Sequence, residues 1–187
     1  MQKAPAEMYE VIAQNLQKNT GKTLQQWMNL VLRSGQEERK DQVEWLKSNH
    51  ALSNGQATTI TKLMNEGKAD YDEAHLMKSH FYGDKDYQKP IYDKITAALK
   101  MWGTHKIVVN KTYLSLIHNQ QFAILKTTKS GMAIGVPEAA VKKGKNKEFI
   151  SSKNFGSERI THKLIVNDVS DLSDGVLLVL KASYDMS

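Results

Sequence analysis

Apolar residues in the first part of the chain recur at the spacing of helical faces. Four segments within residues 1–68 place an apolar side chain about every three or four positions, the pattern of an amphipathic α-helix. Polar, glycine-containing breaks near residues 19–21, 34–35 and 54–55 separate these segments. The predicted inward residues are Met8, Ile12 and Leu16, then Leu24, Trp27, Met28, Val31 and Leu32, then Val43, Trp45 and Leu46, and last Ala57, Ile60, Leu63 and Met64. The pattern therefore predicts an all-helical domain of about four helices over residues 1–68.

Residues 42–64 have the order of a helix-turn-helix unit. A short helix is followed by a turn containing the apolar Leu52, and Ser53 is placed to cap a second helix with its own buried face. A similar start signal, the capping-box spacing of Thr23 and Gln26, precedes an earlier helix. The outward side chains of the second helix are of types that contact bases or phosphates, namely Gln56, Thr58, Thr59 and Lys62.

Two features of the same segment favour a simpler interpretation. Lys47 and His50 stand where helix-turn-helix units bury small or apolar residues, and Ala51 replaces the usual turn glycine. The alternative is an ordinary helical hairpin within a small bundle.

Residues 69–88 are polar and largely aperiodic, which predicts a linker with one short helix inside it. His75 and His80 in this segment lie five residues apart, and ligands on one helical face are three or four apart. No metal site is therefore expected there or elsewhere, and no cofactor.

From residue 89 onward the pattern predicts an α+β domain. Pro90 suits the first turn of a helix over residues 90–102, and Gly103 ends it. Short β-prone runs follow over 107–110, 113–118, 122–127, 132–136 and 159–166, and a helix begins near Ser173. We expect an antiparallel sheet of about five strands, with the two helices packed on one face and the other face mixed in polarity. The predicted fold class is α+β, with a helical domain preceding residues 89–187.

Composition narrows the classes of function. The chain has no cysteine, which excludes disulfides, thiol catalysis and cysteine–zinc sites. Its longest apolar run, residues 176–180, is far shorter than the roughly 20 residues of a membrane helix. The N-terminal residues lack the apolar block of a secretory signal. We therefore expect a cytoplasmic protein with no membrane partner.

The basic residues are concentrated in the second part of the chain. Residues 1–70 carry 9 Lys/Arg against 8 Asp/Glu, whereas residues 71–187 carry 17 against 12. The segment 138–156 is the most basic, and its phenylalanines, Phe149 and Phe155, lie among Lys142, Lys143, Lys145, Lys147 and Lys153. A flexible basic loop with aromatic residues can bind phosphates and stack on bases. Alternatively, it is a solvated loop whose phenylalanines attach it to the core.

Two groups of segments resemble known families. The stretches TGKTLQQWMNLV and VEWLKSNHALSNGQA are similar to a small helical domain of unknown function found in bacteria. The stretches PIYDKITAALKMWG, NKTYLSLIHNQQFAIL, THKLIV and VLKASYD resemble a second domain of unknown function that commonly follows the first. The second type also resembles the last domain of bacterial proteins labelled as predicted transport proteins. The resemblance covers residues 20–187 and implies a two-domain architecture, with no activity attached.

The resemblance directs attention to one row of the predicted sheet. On alternating strand positions Lys111, Tyr113 and Ser115 would share a face, and with Arg159 or His162 from another strand they could line a polar pocket. Such a pocket would hold an anion or a small ligand. The alternative has Tyr113 in the core and Lys111 in solvent. His162 shares an apolar row with Ile160, Leu164 and Val166, so we expect it to be a buried, hydrogen-bonded histidine.

No catalytic motif is present in the sequence. A glycine-rich phosphate loop, a nucleophile elbow and a zinc-protease helix are all missing. The first hypothesis is a non-enzymatic binding protein that contacts nucleic acid, or another anionic partner, through the helices of 42–64 and the loop of 142–153. The second is a small-ligand or protein-interaction module built on the C-terminal sheet. An enzymatic role comes third.

Overall fold

The computed structural model describes residues 3–67, 71–153 and 155–187. These residues divide into two compact units, Pro5–His75 and Leu76–Ser187, and residues 3–4 are grouped with the second. Each unit has its own hydrophobic core.

The first unit is helical, as predicted. Its helices are α1 (Pro5–Thr20), α2 (Leu24–Arg33), α3 (Arg39–His50) and α4 (Asn54–Glu66). All four helices contribute apolar residues to one shared core, to which Tyr71, beyond α4, also belongs. The buried residues from the helices are Leu16, Leu24, Trp27, Val31, Leu46, Ala57, Ile60 and Leu63. The apolar spacing of the sequence therefore identified these helices correctly.

Two of these helices begin with complete capping boxes. At α2 the Thr23 side chain accepts a hydrogen bond from the Gln26 backbone, and the Gln26 side chain accepts one from the Thr23 backbone. Ser53 and Gln56 do the same at α4. These pairs satisfy backbone donors that the helix itself leaves open. The turn before α4 passes through Ala51 at φ 52°, in the left-handed region that normally favours glycine.

Two residues of the predicted apolar faces are exposed. Leu32 is 69% exposed and Met8 is 48% exposed. In α2 the buried line runs through Leu24, Trp27 and Val31. Leu32 is turned a further 100° from Val31, so the expectation that it is buried was wrong.

The second unit is α+β. Before its sheet come α5 (Glu73–His80), of which residues 76–80 belong to this unit, then a 3₁₀ helix (Gly83–Gln88) and α6 (Lys89–Trp102). The strands are β1 (Lys106–Val109), β2 (Leu114–Ile117), β3 (Gln121–Thr128), β4 (Gly131–Val136), β5 (Ile150–Ser151) and β6 (His162–Val166). Helix α7 (Glu138–Gly144) lies between β4 and β5, and a 3₁₀ turn (Val169–Asp171) and α8 (Asp174–Asp185) follow β6.

All neighbouring strands of the sheet are antiparallel, in the order β1-β2-β3-β4-β6-β5. This confirms the α+β class, with six strands where five were expected. The main core lies between one sheet face and the helices. It is built mainly from Ile91, Ile95 and Leu99 of α6, from Val176, Val179 and Leu180 of α8, and from strand residues such as Leu114, Leu125 and Ile134.

The other sheet face is covered in part, which the sequence did not predict. Every residue of β2 and of β4 is buried, whereas Lys126 of β3, the strand between them, is exposed. Phe155 and Ile160, from the chain between β5 and β6, pack there on Ile124 and Ala133. These four residues form a smaller second core on this face.

The basic segment is more ordered than a loop. It forms the helix α7 and the edge strand β5, and Phe149 joins the main core. The buried Phe149 and Phe155 agree with the second alternative, in which the phenylalanines attach the segment to the core. The presence of α7 and β5 differs from both alternatives, which expected a loop.

The segment expected to link the domains contributes to the second unit from Leu76 onward. Leu76 is in the main core. The buried His80 has its Nε2 atom 2.7 Å from the Asn110 carbonyl, and Gln88 donates to the Thr128 carbonyl at 2.7 Å. Burial lowers the pKa of His80, and the hydrogen bond to Asn110 opposes that effect.

Residues 160–162 differ from the predicted strand. β6 begins at His162, and Ile160 packs in the second core while Leu164 and Val166 pack in the main core. The chain therefore changes direction between Ile160 and His162. His162 is only partly buried, so the expectation of a buried histidine was wrong.

Among the residues whose positions are described, no helix is long and apolar enough to span a membrane.

Candidate functional site

A basic groove lies in the helical unit, between α3 and the first turns of α4. It has a volume of about 420 Å³. Arg39, Lys40 and Lys47 of α3 supply three positive charges, and Asn54 and Thr58 of α4 supply polar groups. Val43 and Glu44 complete its lining. We call this the α3–α4 groove.

Glu44 is the acidic residue in this lining. Its carboxylate lies 2.8 Å from the Lys47 ammonium, three residues further along α3. The hydrogen bond from Lys47, together with the lysine's charge, lowers the pKa of Glu44. An exposed pair of this kind is weak and exchangeable, so an incoming phosphate can compete with Glu44 for Lys47. The groove keeps a net positive charge.

The side chains predicted to point outward from α4 have different environments. Gln56 is engaged in the capping box with Ser53. Thr58 and Thr59 are partly buried, and Lys62 is exposed. Asn54, Thr58 and Lys62 are four residues apart in succession, so they form one stripe along the helix.

Arg39, Lys40 and Asn54 line the groove but were not among the residues predicted for nucleic-acid contact. The four-residue interval that joins Asn54 to Thr58 and Lys62 was present in the sequence and could have identified Asn54. Arg39 and Lys40 precede residues 42–64, the predicted helix-turn-helix segment. Only the packing of α3 beside α4 brings them to the groove.

Five exposed lysines lie within residues 142–153, around the edge strand β5, and we call this group the basic edge. Lys142 and Lys143 lie on α7, and Lys145 ends that helix in the left-handed conformation at φ 52°. Lys142 is paired with Glu138 at 2.7 Å and lowers the pKa of that carboxyl. The remaining members of this basic edge are Lys147 and Lys153.

The two phenylalanines of this edge are not available to bases. Phe149 is 5% exposed and Phe155 is 9% exposed, each in a core. Base stacking needs an exposed ring face. The basic edge therefore offers charge for phosphate groups and no stacking surface from these rings.

The row of Lys111, Tyr113 and Ser115 does not line a common pocket. Lys111 is exposed in the turn between β1 and β2, where the Asn110 backbone donates to the Tyr113 carbonyl at 3.0 Å. Tyr113 is partly buried, and its hydroxyl donates to the Gly156 carbonyl at 3.4 Å. Ser115 is fully buried, and its hydroxyl accepts a hydrogen bond from the Gln121 amide.

The other two residues predicted for that pocket lie elsewhere in the α+β unit, Arg159 before β6 and His162 at its start. Arg159 is exposed and donates to the Gln120 side chain at 2.5 Å. His162 pairs with Val136 and Ser151, two strands beyond β3, and its Nδ1 is 3.1 Å from the Thr161 hydroxyl. Because β3 and β4 separate β2 from β6, Ser115 and His162 are not brought together.

In the parts of the chain that the structure describes, no group of three or more His, Asp or Glu side chains is placed to hold a metal ion.

These features define a two-domain protein, in which a helical unit with a basic groove precedes an α+β unit with a six-stranded antiparallel sheet. Residues 77–187 match the family model described as Domain of unknown function (DUF5655). That match covers more than half of the chain, so the protein belongs to this family. Residues 10–66 match a second model, Domain of unknown function (DUF4287). Comparison with curated proteins and with solved structures gave no match.

Proposed function

We propose that this protein is a nucleic-acid-binding protein that uses the α3–α4 groove. The observation that supports the proposal is the convergence of Arg39, Lys40 and Lys47 on one groove beside the polar side chains of α4. Phosphate contacts from Lys and Arg supply most of the affinity of such proteins, and polar side chains on a helix read base edges.

In this proposal the two helices have different roles. In helix-turn-helix proteins the first helix crosses the phosphate backbone and the N-terminal turns of the second contact bases. Here α3 carries the cations, and α4 presents Asn54, Thr58 and Lys62 as one stripe beginning at its first residue. Asn and Thr can donate to and accept from base edges. Gln56 is excluded from this role because it caps α4.

The basic edge of the α+β unit provides a second contact in this proposal. Lys143, Lys145 and Lys147 are exposed and belong to no ion pair within the described ranges. They would contact phosphates without reading sequence, since the neighbouring phenylalanines are buried.

The proposal is tested by the salt dependence of binding. Fluorescence anisotropy with a labelled DNA duplex and an RNA of the same sequence would be measured between about 50 and about 200 mM salt. We expect affinity to fall steeply over that range. The double variant R39Q/K40Q should make the plot of log affinity against log salt less steep by about 2, because two phosphate contacts are lost.

A charge-matched variant controls for net charge. Lys18 on α1 and Arg33 at the end of α2 are exposed, are in the same unit and do not line the groove. The variant K18Q/R33Q removes the same two charges and should leave the slope almost unchanged. Equal slopes for the two double variants, or no binding at low salt, would reject the groove as the contact.

The contribution of the basic edge is measured separately with K145Q/K147Q. We expect a further reduction in slope of about 2. An unchanged slope would restrict the interface to the helical unit.

A further inference from the structure

A cleft of about 670 Å³ lies in the α+β unit, between the end of β5 and the chain that leads into β6. Ligand sites in proteins have volumes of about 300–1,000 Å³. Its polar lining includes three serines, one lysine and one glutamate, namely Ser151, Ser152, Ser157, Lys153 and Glu158. Ile160 contributes an apolar wall.

The walls of this cleft are held in place by packing and hydrogen bonds. Ile160 is 1% exposed and packs with Phe155 on the second sheet face. Gly156, at φ +81°, accepts a hydrogen bond from the Tyr113 hydroxyl. The Ser152 backbone donates to the Thr161 carbonyl at 2.8 Å. A cleft with such supports is already formed before a ligand enters, which favours binding.

Ser157 has an unsatisfied hydroxyl. Its Oγ atom is buried and has no hydrogen-bond partner in the described parts of the chain. Buried hydroxyls are normally hydrogen-bonded, and a bound ligand would supply the partner that this atom lacks among the described residues. Thr161, on the same lining, differs because its hydroxyl already accepts a hydrogen bond from the Glu138 backbone at 3.0 Å.

Lys153 is the cation available to a ligand. Lys153 and Glu158 line the same cleft, and no ion pair between them is found in the described part of the chain. The Lys153 ammonium can therefore approach an anion at the mouth of the cleft. Glu158 would repel additional negative charge.

We propose that this cleft binds a small monophosphorylated molecule, of about the size of a mononucleotide. A phosphate offers several acceptor oxygens, and the Lys153 ammonium and the serine hydroxyls of the lining are donors of the kind that bind them. The remaining volume accommodates an uncharged portion of the molecule. The negative charge of Glu158 disfavours di- and triphosphates. This site is in a different unit from the α3–α4 groove and is independent of it.

The test is a titration of the full chain, labelled with ¹⁵N, with AMP, adenosine and ATP. We expect AMP to shift amide resonances within residues 151–161, with affinity at least about tenfold higher than that of adenosine. ATP should bind less tightly than AMP. Absence of shifts at these amides, or equal affinity for AMP and adenosine, would overturn the proposal.

Single substitutions identify the contacts. K153Q should weaken AMP binding about tenfold, and S157A should weaken it about fivefold, because each removes one donor to the phosphate. E158Q should strengthen it. Lys129, exposed in the turn between β3 and β4, is the matched control, and K129Q should have no effect. Equal affinities of K153Q and K129Q for AMP would overturn the assignment.

The two proposals fail separately. R39Q/K40Q should bind AMP normally if the cleft is the site, whatever its effect on nucleic acid. If instead R39Q/K40Q loses AMP while K153Q retains it, the phosphate site is not this cleft. An unchanged amide spectrum of K153Q and S157A outside residues 151–161 shows that the fold is intact.

Discussion

Gly135 on β4 lies directly under the second core. A Cβ atom added there would come within 2.3 and 2.4 Å of two ring carbons of Phe155 and within 2.6 Å of the Ile160 Cγ2. Favourable carbon–carbon contacts are about 3.5–4.0 Å apart. In the variant G135A the Phe155 ring must therefore move away from the sheet by more than 1 Å, on the order of the shortfall in these distances.

The magnitude follows from what Phe155 loses. Full burial of a phenylalanine side chain contributes about 1.5–3 kcal/mol, and Phe155 is only 9% exposed. Replacing glycine by alanine stabilises by about 0.4–1 kcal/mol through the unfolded chain. Because the loss exceeds this gain, we expect G135A to lower the free energy of unfolding of the α+β unit by about 1–2 kcal/mol.

The assay is urea unfolding of G135A, F155A and the double variant, observed by amide resonances of the α+β unit. F155A removes the ring that the added methyl would strike. In the F155A background only the approach to the Ile160 Cγ2 at 2.6 Å remains. The G135A change should therefore cost less there than in the parent chain, with a coupling free energy of about 1 kcal/mol or more.

Gly175 in α8 provides the matched control. A Cβ there would have its nearest neighbour at 3.5 Å, the Asn146 Nδ2. The variant G175A should therefore stabilise the unit by about 0.5–1 kcal/mol, since alanine is the better helix former. Equal effects of G135A and G175A, or the same cost of G135A with and without the Phe155 ring, would show that contact with Phe155 is not the cause.

Three further predictions concern other parts of the chain. Burial lowers the pKa of His80 in the folded state below its ordinary value of about 6.5. Between these two pKa values the unfolded state binds more protons than the folded state. The free energy of unfolding therefore falls as the pH decreases from 7 toward the folded pKa. Urea unfolding of H80Q, which can keep a donor to Asn110, should show a smaller loss between pH 7 and 5; an identical pH dependence would exclude His80 as the source. S53A should destabilise the helical unit by about 1 kcal/mol, because the N-cap of α4 is lost, as circular dichroism in urea would detect. L46A should destabilise the same unit by about 2–5 kcal/mol, as its side chain is fully buried, and hydrogen exchange should show the loss in α1–α4; unchanged exchange there would contradict the assigned core.

Much of the fold could be predicted because its signals are local. The capping boxes of α2 and α4 need only residues three positions apart, and the apolar spacing of each helix appears within a few turns. The four strands from 106 to 136 were recognised for the same reason, from short β-prone runs bounded by turn residues. The two-residue strand β5 was missed because a run of that length carries no periodic pattern.

The candidate sites were harder to predict. Arg39 and Lys40 come to the α3–α4 groove only because α3 packs beside α4, and nothing in their own segment marks them. Ser115 shares a sequence row with Lys111, yet it is fully buried while Lys111 is exposed in a turn. The partner that distinguishes Ser115, Gln121, comes from the neighbouring strand.

By itself, the sequence determined the α+β class, the helical first domain and the positions of most elements, since each depends on contacts within a few residues. The tertiary structure decided which faces of those elements are covered. Phe149 and Phe155 lie in the same basic segment, but they pack into different cores on opposite faces of the sheet. No local pattern encodes that choice, because it depends on where β4 and β6 pair and on the space that Gly135 leaves for the Phe155 ring.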